Sequence, residues 1–106
     1  MTSTVVDATL RRLDEAARAA RRRAHEAYGT VLHEMMLDLA DAASDRADGY
    51  RTGCEAVAQV PGPMVGQVVA ALLRVTPDPE DSGPYDCAFR AALAETVRHL
   101  YAAGQL

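Results

Sequence analysis

Glu34, Asp38, Asp41, Asp45 and Asp48 recur at alternating steps of four and three residues. That spacing stacks all five carboxylates on one stripe of an α-helix and would scatter them over both faces of a strand. The segment is therefore predicted to be helical, with one side committed to water or to a cationic partner. An apolar line has the same period. Val6, Leu10, Leu13, Ala17, Ala20, Ala24, Ala27 and Val31 advance by threes and fours, and beyond Gly29 the line continues through Leu32, Met36, Leu39, Ala43, Ala47 and Tyr50. The acids fall nearly opposite it, the pattern of an amphipathic helix lying on a core.

The first helix is expected to begin near Thr4, which with Asp7 makes a capping-box-like pair. At Tyr28-Gly29-Thr30 the pattern allows a hairpin or one helix of more than forty residues. With no turn-forming cluster around Gly29, and an interior Gly costing about 1 kcal/mol, the single helix, kinked at Gly29, is the favoured expectation. Either geometry lets antiparallel packing lay the Arg-rich first quarter against the acidic half, within one chain or between two. Asp48-Gly49-Tyr50 is expected to interrupt the helix, with a short helix over Thr52 to Val60 ended by Pro61-Gly62-Pro63. An almost uniformly apolar helix follows over 62–75, then an acidic turn-rich loop over 76–83, then a last helix over 84–103 opened by Pro84 and closed before Gly104. No strand-like alternation occurs. The fold class expected is all-α, a small helical bundle with a long N-terminal helix and about three shorter ones, forming one domain over residues 1–106.

The apolar supply decides what such a bundle needs. Hydrophobic residues are 49% of the chain but aromatics only 5%, so alanine carries much of the core and each copy buries little area. A core that thin is stabilised by a second copy, and a homodimer is expected. All 11 basic residues are Arg, a bias that fits GC-rich coding better than binding chemistry. The net charge of -4 opposes sequence-independent binding to nucleic acid or to an anionic membrane, both of which need surplus cations. Cys54 and Cys87 are far apart without metal-type spacing, and the first residues form no export signal, so the protein is expected to be cytoplasmic.

The stripe has four readings: a solvated helix face, a docking face for a basic protein, mutual neutralisation by the chain's own arginines, and metal binding. Metal ranks last, because hard cations need oxygens converging from several elements while one stripe fans them along a cylinder. The repeated His25-Glu26 and His33-Glu34 evoke a di-metal bundle site, yet no Glu-x-x-His occurs anywhere. The histidines are read as surface or boundary residues, and neither metal nor cofactor is expected. No catalytic residue is assigned: both cysteines read as helix interior, and no glycine-rich phosphate loop is present.

Within VAQVPGPMVGQVVAALL, Val57-Ala58, the turn residue Gly62, and then Val68 and Leu72 have a spacing that resembles the helix-turn-helix of repressor-type regulators. The resemblance covers about twenty residues and implies a DNA-facing second helix. Its base-facing positions would be Met64, Val65, Gly66, Gln67, Ala70 and Ala71, of which Gln67 alone suits a bidentate contact, with Arg74 the lone cation. The expected function is accordingly a non-enzymatic protein–protein interaction module, a small regulator, adaptor or inhibitor. It acts through Glu34, Asp38, Asp41, Asp45 and Asp48 on a partner with a basic surface. A DNA-associated regulator is the alternative, with Arg18, Arg21, Arg22 and Arg23 meeting phosphate or an acidic partner; a small-molecule-binding or enzymatic bundle comes third.

Overall fold

The computed structural model describes residues 4–75 and 83–104. Four α-helices, α1 (Thr4–Glu26), α2 (His33–Ala58), α3 (Val65–Arg74) and α4 (Pro84–Ala102), with a 3₁₀ turn at Gly62–Met64 before α3, make an all-α fold with no strand among the described residues. The Thr4 cap and all of the 76–83 loop except Gly83 lie outside the described side chains.

The chain turns back at Gly29, so the long continuous helix favoured above is replaced by a hairpin. Gly29 has φ +82°, a left-handed conformation that a glycine adopts without strain. Around it Thr30 N–H donates to the Ala27 carbonyl at 2.9 Å, and Thr30 Oγ1 donates to the same oxygen at 2.6 Å. The Leu32 N–H in turn donates to Thr30 Oγ1 at 3.2 Å. His33 Nδ1 lies 3.0 Å from the Ala24 carbonyl oxygen, satisfying an acceptor that the end of α1 would otherwise leave open. Its ring meets Tyr28 edge-on, 5.2 Å between centroids. These bonds close the turn without a Pro or Asn cluster, so composition alone underestimated it.

The second expected break does not occur: α2 runs unbroken through Gly49. A Cβ on Gly49 would collide with the backbone carbonyl of Tyr85, and one on Gly53 would lie 2.8 Å from both Ala92 Cβ and the Phe89 carbonyl oxygen. Both glycines are thus sites of close approach by α4 rather than helix breakers. The pairings Gly49 with Tyr85 and Gly53 with Phe89 show α4 running parallel to α2, whereas α1 runs antiparallel to it. The parallel course is set by α3, which carries the chain back alongside α4. Arg90 fixes that return by donating to the carbonyls of Leu73 and Val75, both at 2.7 Å, and so capping the end of α3.

The core has three small clusters. Ala20, Ala24, Ala40 and Ala43 hold the distal hairpin; Val6, Tyr50, Ala88 and Ala92 hold the middle; Val57, Val65, Val69 and Leu93 join α3 and α4 to the end of α2. On α2 the line facing α1 passes through Ala40, which is fully buried, and not through Leu39, which is half-exposed. Alanine at 24 and 40 lets the two backbones approach closely, and that approach sets the rotation of α2.

The molecule measures 53 × 31 × 19 Å with a radius of gyration of 16.1 Å, against about 13 Å for a compact chain of this length. Its accessible surface is 7188 Å², where a compact monomer of this mass exposes about 5,700 Å². A slab 19 Å thick is about two helix diameters deep, so every helix keeps an outward face. No single described helix is long and apolar enough to cross a membrane.

The Tyr50 hydroxyl is buried without a hydrogen-bond partner among the described residues. Burial pushes its phenol above the ordinary value, with nearby Thr9 pulling the other way. The Thr9 hydroxyl already donates to the Val5 carbonyl at 2.9 Å and accepts from Arg12 at 3.2 Å, and the geometry leaves Tyr50 unsatisfied. Tyr50→Phe is therefore expected to stabilise the fold by up to about 1 kcal/mol, read from urea denaturation. A loss of stability would mean that the hydroxyl has a partner after all.

Candidate docking face

All five residues of the acidic stripe are exposed along α2. The hairpin brings the Arg-rich part of α1 beside them within one chain, but neutralisation is partial. Arg21 donates to Asp41 at 3.1 Å and to Ser44 Oγ at 3.3 Å. Arg51 lies 3.4 Å from Asp48 and places one nitrogen 2.8 Å from each carboxylate oxygen of Asp14, tying α2 to α1. Exposed pairs of this kind contribute about 0 to 1 kcal/mol each, enough to favour the antiparallel register but not to hold it. Glu34, Asp38 and Asp45 have no ion-pair partner among the described residues.

Of the four arginines expected to contact phosphate or an acidic partner, Arg18, Arg21, Arg22 and Arg23 are all exposed. Arg18, Arg21 and Arg22 border a shallow groove with His25 and Glu26 on one side of α1, and of the four only Arg21 is drawn into an ion pair among the described residues. The structure therefore separates the two charge sets. The acids form an edge of α2, and the remaining arginines form the outer surface of α1.

The helix-turn-helix-like segment has the crossing but not the register expected. The axis of α2 and that of Gly62–Arg74 are bent by 115°, inside the range of about 90–120° for such a motif. Its buried positions are Val57, Val65 and Val69, while Leu72 is exposed and Val68 only half-buried. The 3₁₀ turn made by Gly62–Met64 starts α3 at Val65 and rotates it relative to the motif, so Val65, a would-be base-facing position, points into the core. Gln67 and Ala71 stay exposed.

The thiols separate by burial. Cys54 packs against the middle cluster, and burial raises its thiol above the ordinary value, with Asp7 and Glu55 adding to the effect. Cys87 is exposed at the start of α4. No general base is hydrogen-bonded to either sulfur among the described residues.

Sequence reasoning missed Arg90 as the cap of α3. It also missed an apolar flank of α2, where Met35 and Leu39 are half-exposed beside the stripe. The signal for that flank was present, since Met35, Leu39 and Ala42 repeat the stripe's own spacing one residue along; for Arg90 no local signal exists. Compared with known protein families, with characterised proteins and with solved structures, the chain matches none.

Proposed function

We propose that this protein is a non-enzymatic interaction module that binds a protein with a basic surface through the exposed edge of α2. The observation that carries this reading is the stripe itself: five solvent-facing carboxylates on one helix, of which Glu34, Asp38 and Asp45 are without an ion-pair partner among the described residues. Unpaired like charges one turn apart destabilise a helix by a few tenths of a kcal/mol per pair, a cost that a cationic surface removes on docking. Such complementarity accelerates encounter and selects among partners, as a regulator, adaptor or inhibitor requires.

The test is charge reversal of Asp38, Asp41 and Asp45 to Arg. Helical content by circular dichroism is expected to stay nearly unchanged. A basic protein captured from extract by the wild-type chain, and eluted by salt, is expected to be absent from capture by the variant. Equal capture would remove the docking role.

The second reading is a small DNA-associated regulator, supported by the 115° crossing before α3. It predicts a gel shift with duplex DNA that weakens with salt and falls further when Arg21, Arg22 and Arg23 are replaced by Ala. No shift at low salt would dispose of it.

A further inference from the structure

Displaced by one residue from the acidic stripe, α2 carries a second row with the same spacing: Met35, Leu39, Ala42, Arg46, Gly49 and Gly53. Steps of four and three make it a heptad seam, the row on which another helix packs. Its last two members lie under α4, where a Cβ would strike Tyr85, Phe89 and Ala92. Near Pro84, the start of α4, Leu13 and Arg46 border a groove, and beyond it Ala42 is half-buried while Met35 and Leu39 are exposed. Met35 is 51% and Leu39 53% exposed, and Leu32 and Tyr28 carry the apolar line on to the hairpin turn at 46% and 77%. This flank of α2 is thus one continuous helix seat, filled over its C-terminal half and open over its N-terminal half.

We infer that the open half of this seat is the homodimer interface, and that a second copy's hairpin packs on it face to face to complete a four-helix bundle. Two features of the molecule choose this occupant. The first is area. The chain exposes 7188 Å², roughly 1,500 Å² more than a compact monomer of its mass. A stable dimer needs about 800 Å² per partner, and an excess of that size is what a chain built to bury one flank against a second copy carries when alone. The alanine cluster at Ala20, Ala24, Ala40 and Ala43, to which Ala17, Met36 and Leu37 add at its margin, gains a second layer in the process.

The second is charge. On the α2 side the open face is edged by Asp38 and Asp45. On α1, Thr9 borders the groove at Pro84, and Ala16 and Arg23 follow it at heptad spacing. Arg23 therefore edges the face on the α1 side, while Arg22 and Glu26 line the outer groove of α1 with Arg18. A face with Asp38 and Asp45 along one edge and Arg23 along the other is self-complementary about a two-fold axis parallel to the helices, which lays α2 of one copy over α1 of the next. A two-fold perpendicular to the helices sets acid edge against acid edge and is disfavoured. Glu34, Asp41 and Asp48 turn away from the seam by helical phase, so the dimer engages Asp38 and Asp45 and leaves these three carboxylates of the stripe facing outward.

Sedimentation equilibrium of the full chain tests this directly. The wild type is expected at twice the chain mass of 11.3 kDa. Met35→Gln with Leu39→Gln, two exposed positions whose change leaves the helical circular dichroism intact, is expected to weaken self-association at least tenfold. Arg23→Glu is expected to weaken it severalfold, and adding Asp38→Arg with Asp45→Arg to restore it. A wild type that sediments at the single-chain mass, a dimer untouched by the glutamine pair, or a charge swap without rescue each overturns the inference. A single-chain mass together with binding of a basic amphipathic helix at Met35 and Leu39 gives the seat to a foreign partner instead. Failure here stays separable from failure of the docking reading, because the glutamine pair leaves the stripe intact and its capture of a basic protein is read independently of mass.

Discussion

Replacing Gly49 by valine is expected to destabilise the protein by about 3 kcal/mol, lowering the melting temperature by roughly 12 to 24 °C. A side chain at this position meets the backbone carbonyl of Tyr85, which cannot rotate away as a flexible side chain does, so α4 must shift along its length. Gly49→Ala is the more discriminating variant. In an open helix the change from Gly to Ala stabilises by about 1 kcal/mol through propensity alone. Here the steric term is expected to reverse that sign, and urea denaturation of the two variants beside wild type measures it. An alanine variant more stable than wild type would mean that α4 does not seat on Gly49. The continuous helix seat on α2 would then lose its C-terminal anchor.

Leu93→Ala is expected to cost about 3 kcal/mol, within the range for emptying a well-packed leucine site. Leu93 is 1% exposed and packs with Val57, Val65 and Val69, the cluster that holds α3 and α4 to the end of α2. The midpoint of urea unfolding should fall with little change in slope, because the native and unfolded surfaces barely differ from those of wild type. In a protein whose total stability lies in the usual range of about 5 to 15 kcal/mol, that loss is a large share. Both substitutions act far from Glu34, Asp38, Met35 and Leu39. Each variant, assayed below its melting temperature, should therefore keep the N-terminal part of the charged edge and the open flank, and Leu93→Ala, which is remote from Asp45 and Asp48 as well, separates loss of fold from loss of docking.

The candidate face was half legible from the residues. Five acids at helical spacing had to share one stripe, and all five are exposed on α2. The neighbouring row was masked because Leu39 fits two lines equally well, the inward one through Met36 and Ala43 and the open one through Met35 and Ala42. Periodicity gives relative angles around a helix; it does not say which angle faces the neighbour. That was decided by the contact of Ala24 with Ala40, both fully buried. The helix-turn-helix resemblance went astray for a related reason, since one 3₁₀ turn at Gly62–Met64 rotates every later residue of α3 and puts Val65 and Val69 inward in place of Val68 and Leu72.

What the residue order determined by itself was local: helices throughout, because apolar and acidic positions repeat with the helical period; a stop at Pro61; a start at Pro84. Two glycines show where that ends. Gly29 and Gly49 look alike in the sequence, yet one adopts a positive φ and turns the chain, while the other stays helical because α4 needs the space a side chain would fill. A helix propensity is a property of a few adjacent residues, whereas the need for close approach belongs to residues 36 positions apart, Gly49 and Tyr85. Only the packed structure brings them together, and with them it decides which flank of α2 is covered and which is left open.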